Sequence, residues 1–388
     1  MKIIITISRW FVGLLFIFSG LVKANDPLGL SYKMQEFFEI WNEGLEKSSF
    51  FLNHLLINLF QYLHDHSLAL SVIMIAFEII AGVALLLGWR LKTFSWLLLI
   101  LIVFFTFLTG YAFLSGKFKN CGCFGDCLPI TPLTSFLKDV ILTLLILFLF
   151  YHRKKIRPLL NRTMTNILML LVTLISFGMQ WYTLNYLPFK DCLPFKTGNT
   201  ISEQMKIPAG ALPDSFAIRF VYEKAGKPYE FSPTDLPADL ATYTFKERID
   251  KLIRKGNAEP PLKGFALTTP DQQDSTEAIL SDPGYSIFYF TDGSQNEWAL
   301  KEGPGALLTL AAWKGIHVYA LTTNADDLKK KFAEAKWNFP VFNIDYTVFR
   351  TAARTNPCIY LIKNGTIVDK WPLKRTDAAL HYIEKLKP

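Results

Sequence analysis

Five cysteines occur in 388 residues, and three of them, Cys121, Cys123 and Cys127, fall within "KNCGCFGDCL", Lys119 to Leu128. A fourth, Cys192, lies in "FKDCLPF", and the fifth, Cys358, follows a proline in "TNPCIYLI". Thiols so grouped form disulfides, exchange them, or ligate a soft metal, and spacing and compartment decide between these. A bridge from Cys121 to Cys123 would close a strained ring, whereas Cys123 to Cys127, or either to Cys192, meets the required Cβ separation of about 3.5–4.5 Å more easily. Gly122 and Gly125 supply the backbone freedom that such a tight loop needs. Three readings stay open: a structural staple, a redox relay in which Cys121 and Cys123 exchange with Cys127 or Cys192, and a thiolate metal site. For the last, His64 and His66 beside Asp65 offer imidazoles at no recognisable ligand spacing, so no metal is assigned.

The elements that position these thiols are apolar. The chain is 51% hydrophobic and 19% charged, more apolar than an ordinary soluble domain. The excess lies before about residue 190, in five runs long enough to cross a bilayer as helices: Ile3–Val22, Ser67–Gly88, Thr93–Leu114, Leu133–Tyr151 and Thr163–Leu184. The first lacks a signal-peptide cleavage pattern and is expected to be retained. A further run, "FFLNHLLINLFQYL", is too short to span and reads as an interfacial helix. Basic residues mark the cytoplasmic loops. Arg90 and Lys92 follow the second span, and Arg153, Lys154, Lys155, Arg157 and Arg162 follow the fourth. The N-terminus is then cytoplasmic, while the cysteine loop, Cys192 and everything after the fifth span lie outside, with Trp181, Tyr182 and Tyr186 as the outer aromatic belt. Residues 200–388 hold 24 basic and 23 acidic side chains, so most of the net charge of +8 belongs to the membrane half, with 17 against 10. Topology accounts for it, and no nucleic-acid partner is called for.

Inside the spans, Glu78 lies near the middle of the second, where a carboxylate must be paired or protonated. Arg9 in the first is the expected partner, either as an ion pair fixing helix packing or as part of a proton site. Three motifs, "RWFVGLLFIFSGLVKANDPLG", "FEIIAGVALLLGW" and "CGCFGD", occur in order on these spans, and together they resemble the DoxX and MauE group of membrane proteins over about residues 1–155. The resemblance implies a four-helix bundle of two antiparallel hairpins. It also implies an association with thiol, thiosulfate or quinone redox and, for MauE proteins, with maturation of a disulfide-rich periplasmic subunit in methylamine utilisation. The Lys33–Asp65 insertion, the fifth span and a large appended domain depart from that pattern.

From Ser286 the pattern is βαβ: "SIFYFT", a helix over Asn296–Trp313, "IHVYALT" and a helix over Ala325–Lys336. Two strands in "TNPCIYLIKNGTIVDKW", turning at Asn364 and Gly365, and a closing helix over Asp377–Leu386 complete it. The order resembles the thioredoxin fold over 281–388, which implies a cis bond at Asn356–Pro357 facing the dithiol position. That position, "DGSQNEWA" (Asp292 to Ala299), has no cysteine, which excludes ordinary dithiol exchange by this domain. Cys358, beside the proline, reads either as a small buried hydrophobe or as a substitute for the missing nucleophile, and a lone cysteine in a strand favours the first. Residues 197–280 form a connecting region with a β-hairpin in "FAIRFVYEKAGKPYEF".

The expected architecture is a helical membrane bundle over 1–155, a fifth transmembrane helix and linker over 156–196, the connecting region, and an α/β thioredoxin-like extracytoplasmic domain. The expected function is an integral protein of the bacterial inner membrane, with its C-terminal domain in the periplasm, serving an envelope thiol-redox or protein-maturation system. Cys121, Cys123, Cys127 and Cys192 would carry the redox or disulfide role, with an extracytoplasmic client protein as partner and, by the resemblance, a quinone as carrier. The alternative is a non-enzymatic membrane-anchored scaffold with structural cysteines.

Overall fold

The computed structural model describes residues 1–48, 51–118, 122, 124–213, 215–254, 256, 258–294 and 303–386. The membrane half is built from α1 (Lys2–Ala24), α2 (Pro27–Glu46), α3 (Asn53–Asp65), α4 (Ser67–Leu87), α5 (Leu91–Ser115), α6 (Pro132–His152) and α7 (Arg162–Tyr186). Helices α1, α4, α5, α6 and α7 are long and apolar enough to cross a membrane, and the chain is a multi-pass membrane protein. Local chemistry sets their ends. Asp26 caps α2 by accepting from the Gly29 amide, Thr131 caps α6 and Asn161 caps α7 in the same way, and proline opens both α2 and α6. Gly88, at φ 75°, ends α4 in the left-handed region.

Helix α1 packs along α4 and α5 along α6, around a core that includes Val12, Phe16, Leu85, Leu98, Ile102, Leu142 and Ile146. The α1–α4 contact depends on two glycines. A Cβ on Gly82 would stand 2.8 Å from the Gly13 carbonyl oxygen, and one on Gly13 would meet Leu86 at 2.5 Å, so the backbones approach as closely as small residues permit. The fifth span, α7, lies on α4 and is fastened by polar side chains. Gln180 donates to the Val72 carbonyl at 3.2 Å and Thr183 to the Ala24 carbonyl at 3.1 Å. The insertion folds as an antiparallel pair of α2 and α3. None of the residues of α3 is buried, and Leu55, Leu59 and Tyr62 are exposed, the arrangement of a helix lying at a membrane surface.

The C-terminal half begins with the short α8 (Ile201–Gln204) and a three-stranded antiparallel sheet, β1 (Ser215–Lys224), β2 (Lys227–Phe231) and β3 (Thr244–Arg254), in the order β2-β1-β3. The hairpin turns at Ala225 and Gly226, both at positive φ. Then follow α9 (Thr276–Leu280), β4 (Tyr285–Phe290), α10 (Pro304–Trp313), β5 (His317–Thr322), α11 (Ala325–Glu334), β6 (Val341–Asn343), α12 (Tyr346–Ala352), β7 (Cys358–Lys363), β8 (Thr366–Pro372) and α13 (Thr376–Lys385). The five strands order as β6-β5-β4-β7-β8, with β4, β5 and β6 parallel and β7 and β8 antiparallel. Strand β4 is central, and Ile287, Phe288, Tyr289 and Phe290 are wholly buried because the sheet is covered on both faces. One face packs on α10, α11 and α13 through Leu307, Leu328 and Ile383. The other holds Phe288, Phe290, Tyr360 and Ile362 with Phe195 and Leu267. A βαβ unit followed by a hairpin and a closing helix is a thioredoxin-like fold.

The segment after α7 belongs to this second body as much as to the first. Gly198 donates to the Ile367 carbonyl at 2.8 Å, Ile367 to that of Asn199 at 2.9 Å, and Ile201 to that of Gly365 at 2.8 Å, which adds a short rung beside β8. The expected helix start at Asn296 falls outside the described residues. Strand β6 and helix α12, absent from the sequence reading, complete the parallel side.

The glycine contact generates a first prediction. Gly82→Val places side-chain atoms where Gly13 backbone stands, and overpacking of this kind costs ~1–3 kcal/mol. Thermal unfolding in detergent should show a lowered midpoint, whereas Gly44→Val, which has open space at its Cβ, should lose less.

Candidate functional site

Two of the thiols meet at one end of the bundle. Cys127, in the loop between α5 and α6, is disulfide-bonded to Cys192, in the segment after α7, with a Cα–Cα distance of 4.9 Å, and both residues keep part of their surface exposed. Cys121 and Cys123 lie outside the described residues. Asn25, just beyond the end of α1, holds the bridge from below. Its amide nitrogen donates to the Lys190 carbonyl at 2.7 Å and its oxygen accepts from the Lys190 amide at 2.9 Å, while its Nδ2 stands 4.0 Å from Cys127 Sγ.

Each bridged cysteine follows an aspartate, and each aspartate meets a cation of the thioredoxin-like domain. Arg354, between α12 and β7, donates from Nε to Asp26 Oδ2 at 2.9 Å and from Nη2 to Asp126 Oδ2 at 3.3 Å. Lys370 on β8 pairs with Asp191. Arg350 stacks its guanidinium over Tyr32 at 3.6 Å and also bonds Gln35. Burial, reinforced by Asp126, pushes the Asp26 carboxyl above the usual carboxylate range, and the opposing Arg354 offsets part of that rise.

Within the spans, Glu78 is paired with Lys23, not with Arg9. Lys23 Nζ is 2.5 Å from Glu78 Oε1, Ser19 Oγ donates to Oε2 at 3.0 Å, and the two charged side chains are 4% and 1% exposed. The antiparallel register of α1 on α4 explains the correction. Gly20 faces Glu78, and Arg9, three turns away, faces the end of α4. There it donates to the carbonyls of Leu85, Leu86 and Arg157 at 2.9, 2.6 and 3.1 Å, filling acceptors that the helix terminus leaves open. A second buried acid, Asp139, accepts from Thr109 at 3.1 Å and pairs with Lys138 at 2.7 Å, and Lys138 Nζ lies 4.9 Å from the ring of Phe124 in the cysteine loop.

Between these charges and the loop lies an apolar cavity walled by Leu30, Met34, Phe37, Met74, Phe105 and Leu108, with Lys23 and Gly122 also on its surface. Lys33 and Thr109 complete its lining. Among the described residues no group of three His, Cys, Asp or Glu side chains converges as a metal site, and His64 bonds Glu39 and Asp65, both at 3.2 Å.

Over residues 1–152 the sequence matches the family described as methylamine utilisation protein MauE. Residues 1–152 form a MauE domain. Residues 216–255, the three-stranded sheet, match a domain of unknown function, DUF8463. A stretch of 59 residues is 41% identical to Protein TlpB of Flavobacterium psychrophilum, spanning 15% of this chain and 16% of that protein. Solved structures similar to part of the chain include peroxiredoxin Q of Xanthomonas campestris, 16% identical over 31% of this chain and 89% of that one, with a TM-score of 0.26. A thiol:disulfide interchange protein from Bacteroides sp. is 18% identical over 32% and 88%, with a TM-score of 0.25.

Among the described residues the bridge thus joins Cys127 of the MauE domain to Cys192 of the segment after α7. In the thioredoxin-like domain the Asn356–Pro357 bond is cis, and Asn356 bonds Asp292 and Ser294 in the loop after β4, where thioredoxins hold their dithiol. Cys358 is buried, and burial pushes its thiol up to about 11. Sequence reasoning missed Lys23, Asp139, Asp26, Asp126 and Arg354. Asp139 carried a signal, a carboxylate inside an apolar span; Arg354 carried none.

Two predictions follow from this geometry. Lys23→Met strands the Glu78 carboxylate and should cost about 3–5 kcal/mol of bundle stability, most of it recovered by Lys23→Met with Glu78→Leu, as read by denaturant titration in micelles. Cys358 should resist maleimide at pH 8 in the folded chain and label at once on unfolding, since its thiolate fraction and access are both small.

Proposed function

We propose that this chain is a membrane thiol-redox protein whose Cys127–Cys192 bridge exchanges disulfides with an extracytoplasmic client, with Cys121 and Cys123 as the exchanging partners on the same loop. The observation that carries this reading is the placement of a partly exposed bridge at the mouth of the MauE domain, beside a domain of thioredoxin-like fold that has no dithiol of its own. The names of the proteins it resembles, among them a thiol:disulfide interchange protein, agree with it.

In this reading the cysteine-bearing end faces the periplasm of a bacterial inner membrane, as the basic loops at the opposite end direct. A client thiolate attacks one bridge sulfur, forming a mixed disulfide and releasing the other sulfur as a thiolate. The client's second thiol then resolves it, so the client leaves oxidised and Cys127 and Cys192 hold two thiols. Turnover requires an acceptor for two electrons and two protons, and a quinone-class molecule supplies that chemistry when bound. Leu30, Met34, Phe37 and Phe105 would hold it, with the Lys23 ammonium oriented by Glu78 as hydrogen-bond donor and proton source.

The bridge also joins the bundle to the segment that carries the second domain, which favours a scaffold with a structural staple as the second reading. A redox titration of the chain in membranes, read by thiol alkylation, separates the two. The relay predicts that Cys127 and Cys192 change state in the working range of the envelope; a bridge still oxidised below roughly −300 mV sinks it. Under the relay, Cys127→Ser should also accumulate a mixed disulfide between Cys192 and a client.

A further inference from the structure

We propose that Arg354 is a positioning residue through which the oxidation state of the Cys127–Cys192 bridge controls docking of the thioredoxin-like domain on the MauE domain. The inference rests on the bridge changing redox state. It goes beyond that reading by assigning a consequence to the change.

Cys192 lies in the segment that hydrogen-bonds along β8 and sends Phe195 into the core beside Tyr360, so it moves with the thioredoxin-like domain. Cys127 lies on the loop between α5 and α6, so it moves with the bundle. Residues 65 apart in sequence are thereby joined across the boundary, and the neighbour of Cys127, Asp126, is delivered to Arg354. Arg354 is 5% exposed and serves Asp26 and Asp126 at once. The two carboxylates crowd one spot: a Cβ on Gly29 would lie 2.8 Å from an Asp26 oxygen and 3.4 Å from an Asp126 oxygen. Side by side they repel, and only the shared guanidinium makes the closed loop favourable.

Reduction breaks the Sγ–Sγ bond. It takes two electrons and two protons from a dithiol, which becomes a disulfide, and leaves two thiols on this chain. The loop bearing Asp126, with Gly122 and Gly125 both at positive φ, then keeps the contacts of Phe124 with Phe18 and Lys138 but loses its covalent tie to the second domain. Asp126 withdraws from Arg354, while Asp26, the Asn25 clasp on Lys190 and the Arg350–Tyr32 stack remain. Docking therefore weakens and does not vanish. Linkage makes the effect reciprocal: whatever docking gains from the bridge, the bridge gains from docking.

The test uses the full chain carrying Cys121→Ser and Cys123→Ser, in nanodiscs, equilibrated against ratios of reduced and oxidised dithiothreitol and read by maleimide gel shift. Arg354→Ala should favour reduction about tenfold, a midpoint about 30 mV less negative for a two-electron couple. Asp126→Asn, which leaves the Asp26 pair in place, should shift it the same way by about threefold, and Arg354→Lys should restore part of the Arg354→Ala shift. Hydrogen exchange should rise on reduction in Tyr346–Ala352 and not in the buried strand Tyr285–Phe290. An unchanged midpoint in both Arg354→Ala and Asp126→Asn overturns the proposal, as does identical exchange at Tyr346–Ala352 with and without the bridge. A bridge that no dithiothreitol ratio reduces would defeat the relay instead. Exchange in the Cys127→Ser, Cys192→Ser chain would still decide the coupling.

Discussion

Charge in a low-dielectric bundle must find a partner, and the partners available to α1 set its register on α4. Arg9 near one end takes up carbonyls of Leu85 and Leu86 where α4 stops at Gly88, and Lys23 near the other meets Glu78. Between them Gly13 and Gly82 let the backbones touch. A shift of one helical turn would strand Glu78, uncover the carbonyls and drive side chains into backbone together. That triple constraint delivers Asn25 and Asp26 to the cysteine-bearing end in a defined place.

From there the position of the second domain follows. Asn25 clasps Lys190 and Asp26 takes Arg354, so two consecutive residues of the bundle hold the linker and the domain it leads to. The loop after β4, where this fold carries a dithiol in thioredoxins, is tied by Asn356 to Asp292 and Ser294 instead. With Cys358 buried and its thiol pushed to about 11, this domain presents no ready nucleophile among its described residues. Its Arg354 and Lys370 instead pair with Asp126 and Asp191, the residues that precede the two bridged cysteines.

Much of the architecture was legible because it is local. Spans, the Ala225–Gly226 hairpin and the strands of the thioredoxin-like sheet announce themselves through apolar runs, alternation and turn residues. What stayed hidden depends on register or on distant contact. Glu78 visibly needed a cation, yet choosing Lys23 over Arg9 required knowing how far α1 slides along α4. Strand β3 is exposed along most of its length and mixes charge with isoleucine, so no buried face marks it. Strand β6 has three residues. Arg354 is one arginine in a short loop, and its partners lie more than two hundred residues away. Spacing left several cysteine pairings open, and only folding brings Cys127 to Cys192.

The bridge and the apolar cavity are separate features of the cysteine-bearing end. Cys127 and Cys192 line one cleft together with Asn25, Asp126 and Asp191. The neighbouring cavity has walls of leucine, methionine and phenylalanine, with the cations Lys23 and Lys33 and the Thr109 hydroxyl also on its surface. Gly122, on that cavity, and Cys127 belong to one short loop, so a change on one side is felt on the other through a few backbone bonds. A scaffold would need the staple and would also gain from the Lys23–Glu78 pair, which fixes the register of α1 on α4 whatever the bridge does.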